Sequence, residues 1–356
     1  MMGMNFPNTP SEGAVYASPG GQQYTYTNGV WLQTGFAYTP LQTAEPYSRV
    51  VNGAMQIAQE NVTASTANGY YAADQWLVYY STTAVVSFGV VGSVTPNGSP
   101  GRLRATITTA DASIAAGDYY QIYQAIEGVR FSTQWGTANA KQVVVRFGFK
   151  GPAGTYSFRL SNNGGTARTY LANFTIAAGQ ANTDTVQTFV IPGDTTGTWD
   201  TNSTALAVQF SVAIACGTTY QGVAGWNAGN LIATNAITNN LATNGSVFEL
   251  FDVGLYLDPQ ATGKAPQWQT PDYAQELAAC QRYWETTYSP VVGGPGTGNN
   301  HVNWFYKVIK RVIPTFAGGG GSTFDSTYTV NTDSLNVYRN INAPIIGTGA
   351  VVNARM

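Results

Sequence analysis

The chain has 356 residues, of which 10% are charged and 44% hydrophobic, with 40 glycines and a formal net charge of -2. This balance excludes a disordered polar chain and a helical bundle, and the 16 Lys and Arg residues are scattered rather than clustered, which argues against a nucleic-acid partner. A chain of this length exceeds the roughly 250–300 residues at which one core stops growing, so one large β domain with smaller satellites is expected.

Residues 1–45 form the first zone, in which short Tyr- and Val-bearing runs alternate with Pro, Gly and Asn-Gly signals that predict small hairpins. The firmest runs from Tyr24 to Trp31, because Asn28-Gly29 supplies the positive φ angles of a tight primed turn. The opening MMGMNFPNTPSEG carries neither a basic start nor an apolar stretch, which predicts synthesis in a reducing cytoplasm.

Residues 46–260 read as a succession of strands punctuated by Gly, Asn and Pro. The expected runs are Gln75–Tyr80, Ala84–Val91, Arg102–Thr108, Tyr119–Ile126, Gln142–Phe149, Thr155–Leu160, Thr169–Ile176, Thr185–Ile191, Ala205–Ala215 and Phe248–Leu257. Val143, Val145, Phe147 and Phe149 alternate with Val144, Arg146 and Gly148, the period of a strand in a sandwich. Strands at this spacing without an intervening helix predict an all-β sandwich or jelly roll. The longest apolar run, Ala205–Ala215, is too short for a membrane-spanning helix, so membrane insertion is not expected.

Residues 261–356 hold one expected helix, Thr270–Trp284, capped by Thr270 with Pro271 behind it or by Asp272 with Gln275 three residues on. Tyr273, Leu277, Cys280 and Trp284 recur at helical spacing as its apolar face. Strands are expected at Val302–Val312, Thr327–Val330, Leu335–Tyr338 and Ala350–Ala354, with a glycine loop at Gly318–Gly321.

The chemistry-bearing residues are sparse. Cys216 and Cys280 have neither the number nor the spacing of a disulfide framework or zinc site and read as buried free thiols. His301 is the single histidine, set in a polar loop, which removes a His-based triad. Asp118, Glu127, Glu249 and Asp252 lie on or beside strands, where a pair could serve glycoside hydrolysis, but carboxylates at strand ends more often bond to turns. Sugar recognition needs flat aromatic faces with amide groups beside them. The best exposed candidates lie between strands: Trp135, Trp199, Tyr220 and Trp226, with Asn227. Subunit packing could use the same side chains.

Four short landmarks carry a family resemblance: Asn52-Gly53 opening a first strand, Asp74-Gln75-Trp76 in a second, Gln124-Ala125-Ile126-Glu127-Gly128, and Phe248 to Leu255 closing the domain. In order and separation they resemble the jelly rolls of carbohydrate-binding modules. The segment PDYAQELAACQRYWE is similar to the PY..EL..CQRYY element of bacteriophage fibre proteins, and residues 1–45 resemble the small modules at the ends of such fibres. The resemblance implies a jelly-roll β-sandwich with an N-terminal hairpin module and a C-terminal helix plus strands. It implies a non-enzymatic virion component of a tailed phage, a fibre or spike adhesin that binds host surface polysaccharide, stands among other virion proteins and assembles as a homotrimer. The alternative is a capsid decoration or tail-assembly protein without glycan binding, and a polysaccharide depolymerase is the third reading. No cofactor is implied beyond a structural calcium at Asp252, with Asn52 and Glu60 as its candidate partners.

Overall fold

A computed structural model describes residues 6–18, 22–36, 43–162, 165–287, 300–317, 328–339 and 350–356. Two compact units divide the chain, Met1–Thr43 and Ala44–Met356. The first is an antiparallel sheet of β1 (Val15–Ala17), β2 (Gln22–Thr27) and β3 (Val30–Phe36). Asn28 and Gly29 have φ of 51° and 83°, and Thr27 pairs with Val30 across them, the tight turn their sequence predicts. Phe6 stacks on Trp31 at 5.2 Å and meets Tyr16 and Tyr24 edge-on, so four aromatic rings supply this small unit with its apolar centre.

The second unit is built on a jelly-roll β-sandwich. Its strands are β4 (Tyr71–Ala73), β5 (Trp76–Ser81), β6 (Val85–Val91), β7 (Arg102–Thr109), β8 (Tyr119–Glu127), β9 (Gln142–Lys150), β10 (Gly154–Ser161), β11 (Arg168–Ile176) and β12 (Thr185–Ile191). They continue through β13 (Leu206–Cys216), β14 (Gln221–Gly222), β15 (Gly225–Ala228), β16 (Ala233–Thr234) and β17 (Val247–Asp258). One layer has the order β15-β11-β10-β13-β8-β5-β4 and the other β12-β9-β17-β7-β6. All of these pairings are antiparallel, and most join strands distant in sequence. The facing sides interdigitate: Phe147 and Phe149 of β9 pack on Tyr156 and Phe158 of β10 and on Phe210 of β13, all fully buried.

The four landmarks converge on one point. Asn52 is not in a strand: it sits in a turn at φ 55°, and its carbonyl accepts from Trp76 Nε1 at 3.0 Å. Gln124 bonds both backbone groups of Val51, donating to its carbonyl at 2.8 Å and accepting from its N–H at 2.9 Å. Gly53 takes the Val253 N–H on its carbonyl at 3.0 Å, where β17 bulges and Asp252 adopts φ 50°. A Cβ on Gly53 would stand 2.1 Å from the Val253 carbonyl oxygen, which explains the glycine. Asp74 and Gln75 likewise form the turn between β4 and β5 rather than strand, with Gln75 at φ 69°.

The helix α1 (Tyr273–Gln281) docks on this junction. Asp272, and not Thr270, is its N-cap, accepting from the Ala274 and Gln275 N–H groups at 3.0 Å. The expected apolar face is corrected: Tyr273 is exposed, and the helix ends before Trp284, which begins a strand. The helix is anchored at its C-terminal end instead. Cys280 and Tyr283 pack with Val51 and Ile57, and Glu127 accepts from Arg282 Nε at 2.8 Å and from the Tyr283 hydroxyl at 2.9 Å.

The remaining strands are β18 (Trp284–Thr287), β19 (Asn300–Phe305), β20 (Thr315–Ala317), β21 (Tyr328–Val330), β22 (Ser334–Arg339) and β23 (Ala350–Asn353). They form two three-stranded sheets, β18-β23-β20 and β19-β22-β21. The expected long strand Val302–Val312 stops at Phe305, after which Lys310 turns inward to pair with buried Glu285 at 3.3 Å. His301 lies in β19 rather than a loop. Gly318–Gly321 fall outside the described residues.

Candidate functional site

The sequence-predicted aromatics prove to be a packed cluster. Trp135 is 2% exposed and Trp199 9%, so neither presents the free face expected of it. Trp226, half-buried in β15, joins them, with ring centroids 4.7 Å (Trp135–Trp199), 5.1 Å (Trp135–Trp226) and 5.7 Å (Trp199–Trp226) apart, all edge to face. Each indole N–H is also committed, to Lys141 O, Asp194 and Pro192 O respectively. Asn227 closes its own loop by donating to the carbonyls of Val223 and Gly225 at 2.8 and 2.9 Å. Tyr220, by contrast, lines a cleft.

The calcium expectation does not fit these residues. Asn52 Oδ1 accepts from the Gln56 and Ile57 N–H groups, while its Nδ2 donates to the Ile57 and Asp74 carbonyls. Asp252 accepts from Thr95 Oγ1 at 3.0 Å and Asn97 Nδ2 at 2.8 Å, and Glu60 pairs with Arg355. Calcium needs about six to eight oxygens, and no group of three or more His, Cys, Asp or Glu residues is gathered among the described residues. The four carboxylates considered for hydrolysis are similarly engaged. Glu249 binds Arg102 and Arg104, Asp118 accepts from the Ala115 N–H, and Glu127 and Asp252 hold the partners given above.

The cleft that Tyr220 enters lies on the outer face of the seven-stranded sheet and has a volume of about 520 Å³. Strand alternation builds it. In β8, Tyr120 and Ile122 turn into the sandwich core, so Tyr119, Gln121 and Tyr123 must face outward. Register then sets two cross-strand rows: Leu77, Tyr123, Ser211 and Arg159 in one, Tyr79, Gln121, Ala213 and Ser157 in the next. Tyrosines on β8 and β5 form a wall, and Gln209 of β13 and Arg159 of β10 line the cleft beside them, while Ser157 and Ala213 are covered by Thr234, Ile232 and Ala233.

The opposite wall is the segment 217–235. Thr234 N–H donates to Ser157 Oγ at 2.9 Å and Leu231 N–H to Thr169 Oγ1 at 3.4 Å, which lays this segment over the β10–β11 half of the sheet and brings Tyr220, Asn230 and Ile232 to the cleft. Tyr119 meets Tyr220 edge-on at 5.5 Å and lies 6.0 Å from Tyr79 at a 34° tilt. Tyr79 is 49% exposed, the most open of the wall's rings. Burial and the neighbouring Tyr79 and Tyr220 raise the Tyr119 hydroxyl above its ordinary pKa, so it is a neutral hydrogen-bonding group at pH 7.

Polar groups meet between the walls. Arg159, 3% exposed, donates from Nε to Ser161 Oγ at 2.9 Å and from Nη2 to Gln209 Oε1. Gln121 Oε1, in the cleft lining, and Ser211 Oγ, on the same face but outside the lining, have no hydrogen-bond partner among the described residues. Such an atom costs about 1–3 kcal/mol unless something bonds it, so the face is suited to receive ligand hydroxyls. A second cleft of about 620 Å³ is lined by residues 266–272, where Trp268 Nε1 donates to Ser99 Oγ at 3.0 Å and Glu276 accepts the Asn52 N–H.

No protein-family model matches the sequence, and no curated protein matches it. Among solved structures, the chain is similar to the enzymatically active domain of tailspike protein 4 of bacteriophage CBA120, with a TM-score of 0.34 and 14% identity over 60% of this chain and 22% of that one. It is also similar to a family 4 carbohydrate-binding module, with a TM-score of 0.31 and 16% identity over 58% of this chain and 98% of the module. A family 11 carbohydrate-binding module from a cellulosomal cellulase of Clostridium thermocellum gives a TM-score of 0.30 and 14% identity over 56% and 97%. The match thus spans under a quarter of the tailspike chain and nearly all of each module.

Proposed function

We propose that the protein is a glycan-binding adhesin that holds a short stretch of polysaccharide in the tyrosine-walled cleft of its seven-stranded sheet. One observation carries this reading: Tyr79, Tyr119 and Tyr220 line a cleft together with Arg159 and with Gln121, whose Oε1 has no hydrogen-bond partner among the described residues. Aromatic faces cover the apolar face of a pyranose ring, and the free polar atoms take its hydroxyls. The cleft volume of about 520 Å³ suits a few sugar units. Binding rather than cleavage is favoured because none of the residues lining this cleft is an Asp or Glu.

The setting we propose is the virion of a tailed bacteriophage, as a fibre or spike component among other virion proteins. The support is the four sequence landmarks together with PDYAQELAACQRYWE. A homotrimer belongs to the same proposal, since three copies convert weak single-site binding into firm attachment; sedimentation equilibrium reads its mass. Glycan arrays of bacterial surface polysaccharides, followed by calorimetry with Tyr79→Ala and Tyr119→Ala, test the binding site. Binding lost in both variants supports the cleft. No binding by the native chain favours a decoration or assembly protein, and shortened polysaccharide products would turn the reading to a depolymerase.

A further inference from the structure

The cleft contains a cation with no anion to meet it. Arg159 stands in the second half of the β10 strand, on a face whose cross-strand rows are otherwise made of Ser, Ala, Gln, Leu and Tyr. Among the described residues no carboxylate lies within ion-pair distance of it, whereas buried Arg102 pairs with Asp184 and Glu249, Arg168 with Asp194, and Arg282 with Glu127. Its Nε and Nη2 bond only neutral oxygens, and its Nη1 donates to none of the described residues. The ionisable groups nearest to it are Tyr123, Cys216 and Tyr119, all of which burial holds in their neutral forms at pH 7.

A guanidinium buried in this way is expensive to keep. Desolvation brings Arg159 down to about 10, still charged at neutral pH. Removing an ion from water costs several kcal/mol unless a counter-charge and hydrogen bonds repay it. Ser161 and Gln209 hold Nε and one edge of Nη2, so the planar fork is fixed in orientation with Nη1 uncommitted. A fixed, partly bonded guanidinium on the floor of a sugar-sized cleft is the geometry that receives a carboxylate.

We propose that the ligand of this cleft is an acidic glycan, and that Arg159 binds the carboxylate of a uronic-acid-type unit while the tyrosine wall covers the adjoining ring. This rests on the glycan-binding reading above and goes beyond it by naming the sugar class. No Asp or Glu side chain lines the cleft, so such a ligand meets no side-chain carboxylate there. Gln121 Oε1, on the neighbouring cross-strand row, accepts a hydroxyl of the same or the next unit.

The test compares uronate-bearing and neutral bacterial polysaccharides on one array, then measures each acidic hit by calorimetry before and after its carboxylates are reduced to hydroxymethyl groups. Reduction is expected to weaken binding about tenfold or more, as is Arg159→Gln, and reduction should then make no further difference to that variant. Arg159→Lys retains the charge without the fork and should fall between the two; thermal melts of each variant separate misfolding from lost recognition. Binding confined to neutral polymers, or unchanged by carboxyl reduction, overturns the acidic assignment and leaves the adhesin reading standing if Tyr79→Ala still abolishes it. Binding to no polysaccharide of either kind overturns both.

Discussion

Trp226→Ala and Tyr79→Ala are expected to have opposite effects, and the pair decides between the loop aromatics and the sheet cleft. Trp226 is half-buried against Trp135 and Trp199 at 5.1 and 5.7 Å, against Tyr170 at 5.3 Å, and under the Arg168 guanidinium at 5.6 Å. Truncating a core Trp or Phe costs about 3–5 kcal/mol; with part of this ring in solvent, about 2–3 kcal/mol is expected. At a urea slope of about 3 kcal/mol/M, the unfolding midpoint falls by roughly 1 M. Tyr79 is 49% exposed, so its removal should change stability by less than about 1 kcal/mol. It does remove the most open ring of the wall, and losing a binding hot spot costs about 2 kcal/mol, or roughly a 30-fold rise in Kd. Urea denaturation followed by tryptophan fluorescence and titration calorimetry with an array-positive polysaccharide read the two quantities separately. Lost binding in Trp226→Ala at native stability, together with native affinity in Tyr79→Ala, would refute the placement of the site in the cleft.

Three further outcomes follow from the packing and the charges. Asp194 is buried beneath Arg168 and Trp199; burial pushes its carboxyl up, but hydrogen bonds from Arg168 and Thr196 outweigh this and leave it below its ordinary value. A carboxyl depressed on folding contributes fully above its unfolded pKa of about 3.9 and loses that contribution as pH falls through the folded value. Asp194→Asn should therefore be less stable than the native chain at pH 7 and show a shallower loss below about pH 4 in acid titrations followed by urea melts. Asp272→Ala removes the acceptor for two N–H groups of α1 and should lower stability by about 1 kcal/mol, read as a shift in the same melts. Gly148→Ala would set a Cβ 2.1 Å from Cε2 of buried Phe251, an overpacking worth about 1–3 kcal/mol, and adding Phe251→Leu should restore part of it in a double-mutant cycle.

The strands were legible because their residues alternate or run apolar between Gly, Asn and Pro, and the ten runs expected between residues 75 and 257 each fall on an observed strand to within about two residues. The hairpin at Asn28-Gly29 was legible for a local reason, the positive φ that both residues adopt. Strand pairing is non-local, and the short strands β14, β15 and β16 exist only because the segment 217–235 finds the edge of β11 and the Ser157 hydroxyl. That is why Trp135, Trp199 and Trp226 read as separate loop residues although tertiary structure packs them together. The cleft had a signal that was not used. Tyr119, Gln121 and Tyr123 alternate with Tyr120, Ile122 and Gln124, and Ser157, Arg159 and Ser161 alternate with Phe158 and Leu160. A strand that carries Ser-Arg-Ser opposite an aromatic-aliphatic face has a polar side with something to do, but only the register shows that the two polar sides adjoin.

The residues behind the family resemblance and the residues of the cleft do different physical work. Asn52, Gln124, Trp76 and Glu127 spend their polar atoms on the backbone of distant segments or on Arg282 and Tyr283, so a change at any of them leaves buried groups unpaired and costs stability before it could alter a ligand. Tyr79 meets Tyr119 and is half exposed, Tyr119 and Tyr220 pack on each other and on Ala213, Cys216 and Ile232, and Gln121 Oε1 has no hydrogen-bond partner among the described residues. Of these side chains, half-exposed Tyr79 is the one exchanged at least cost to the fold. The landmarks therefore carry the architecture, while in the function we propose ligand choice falls to Arg159 and its tyrosine wall.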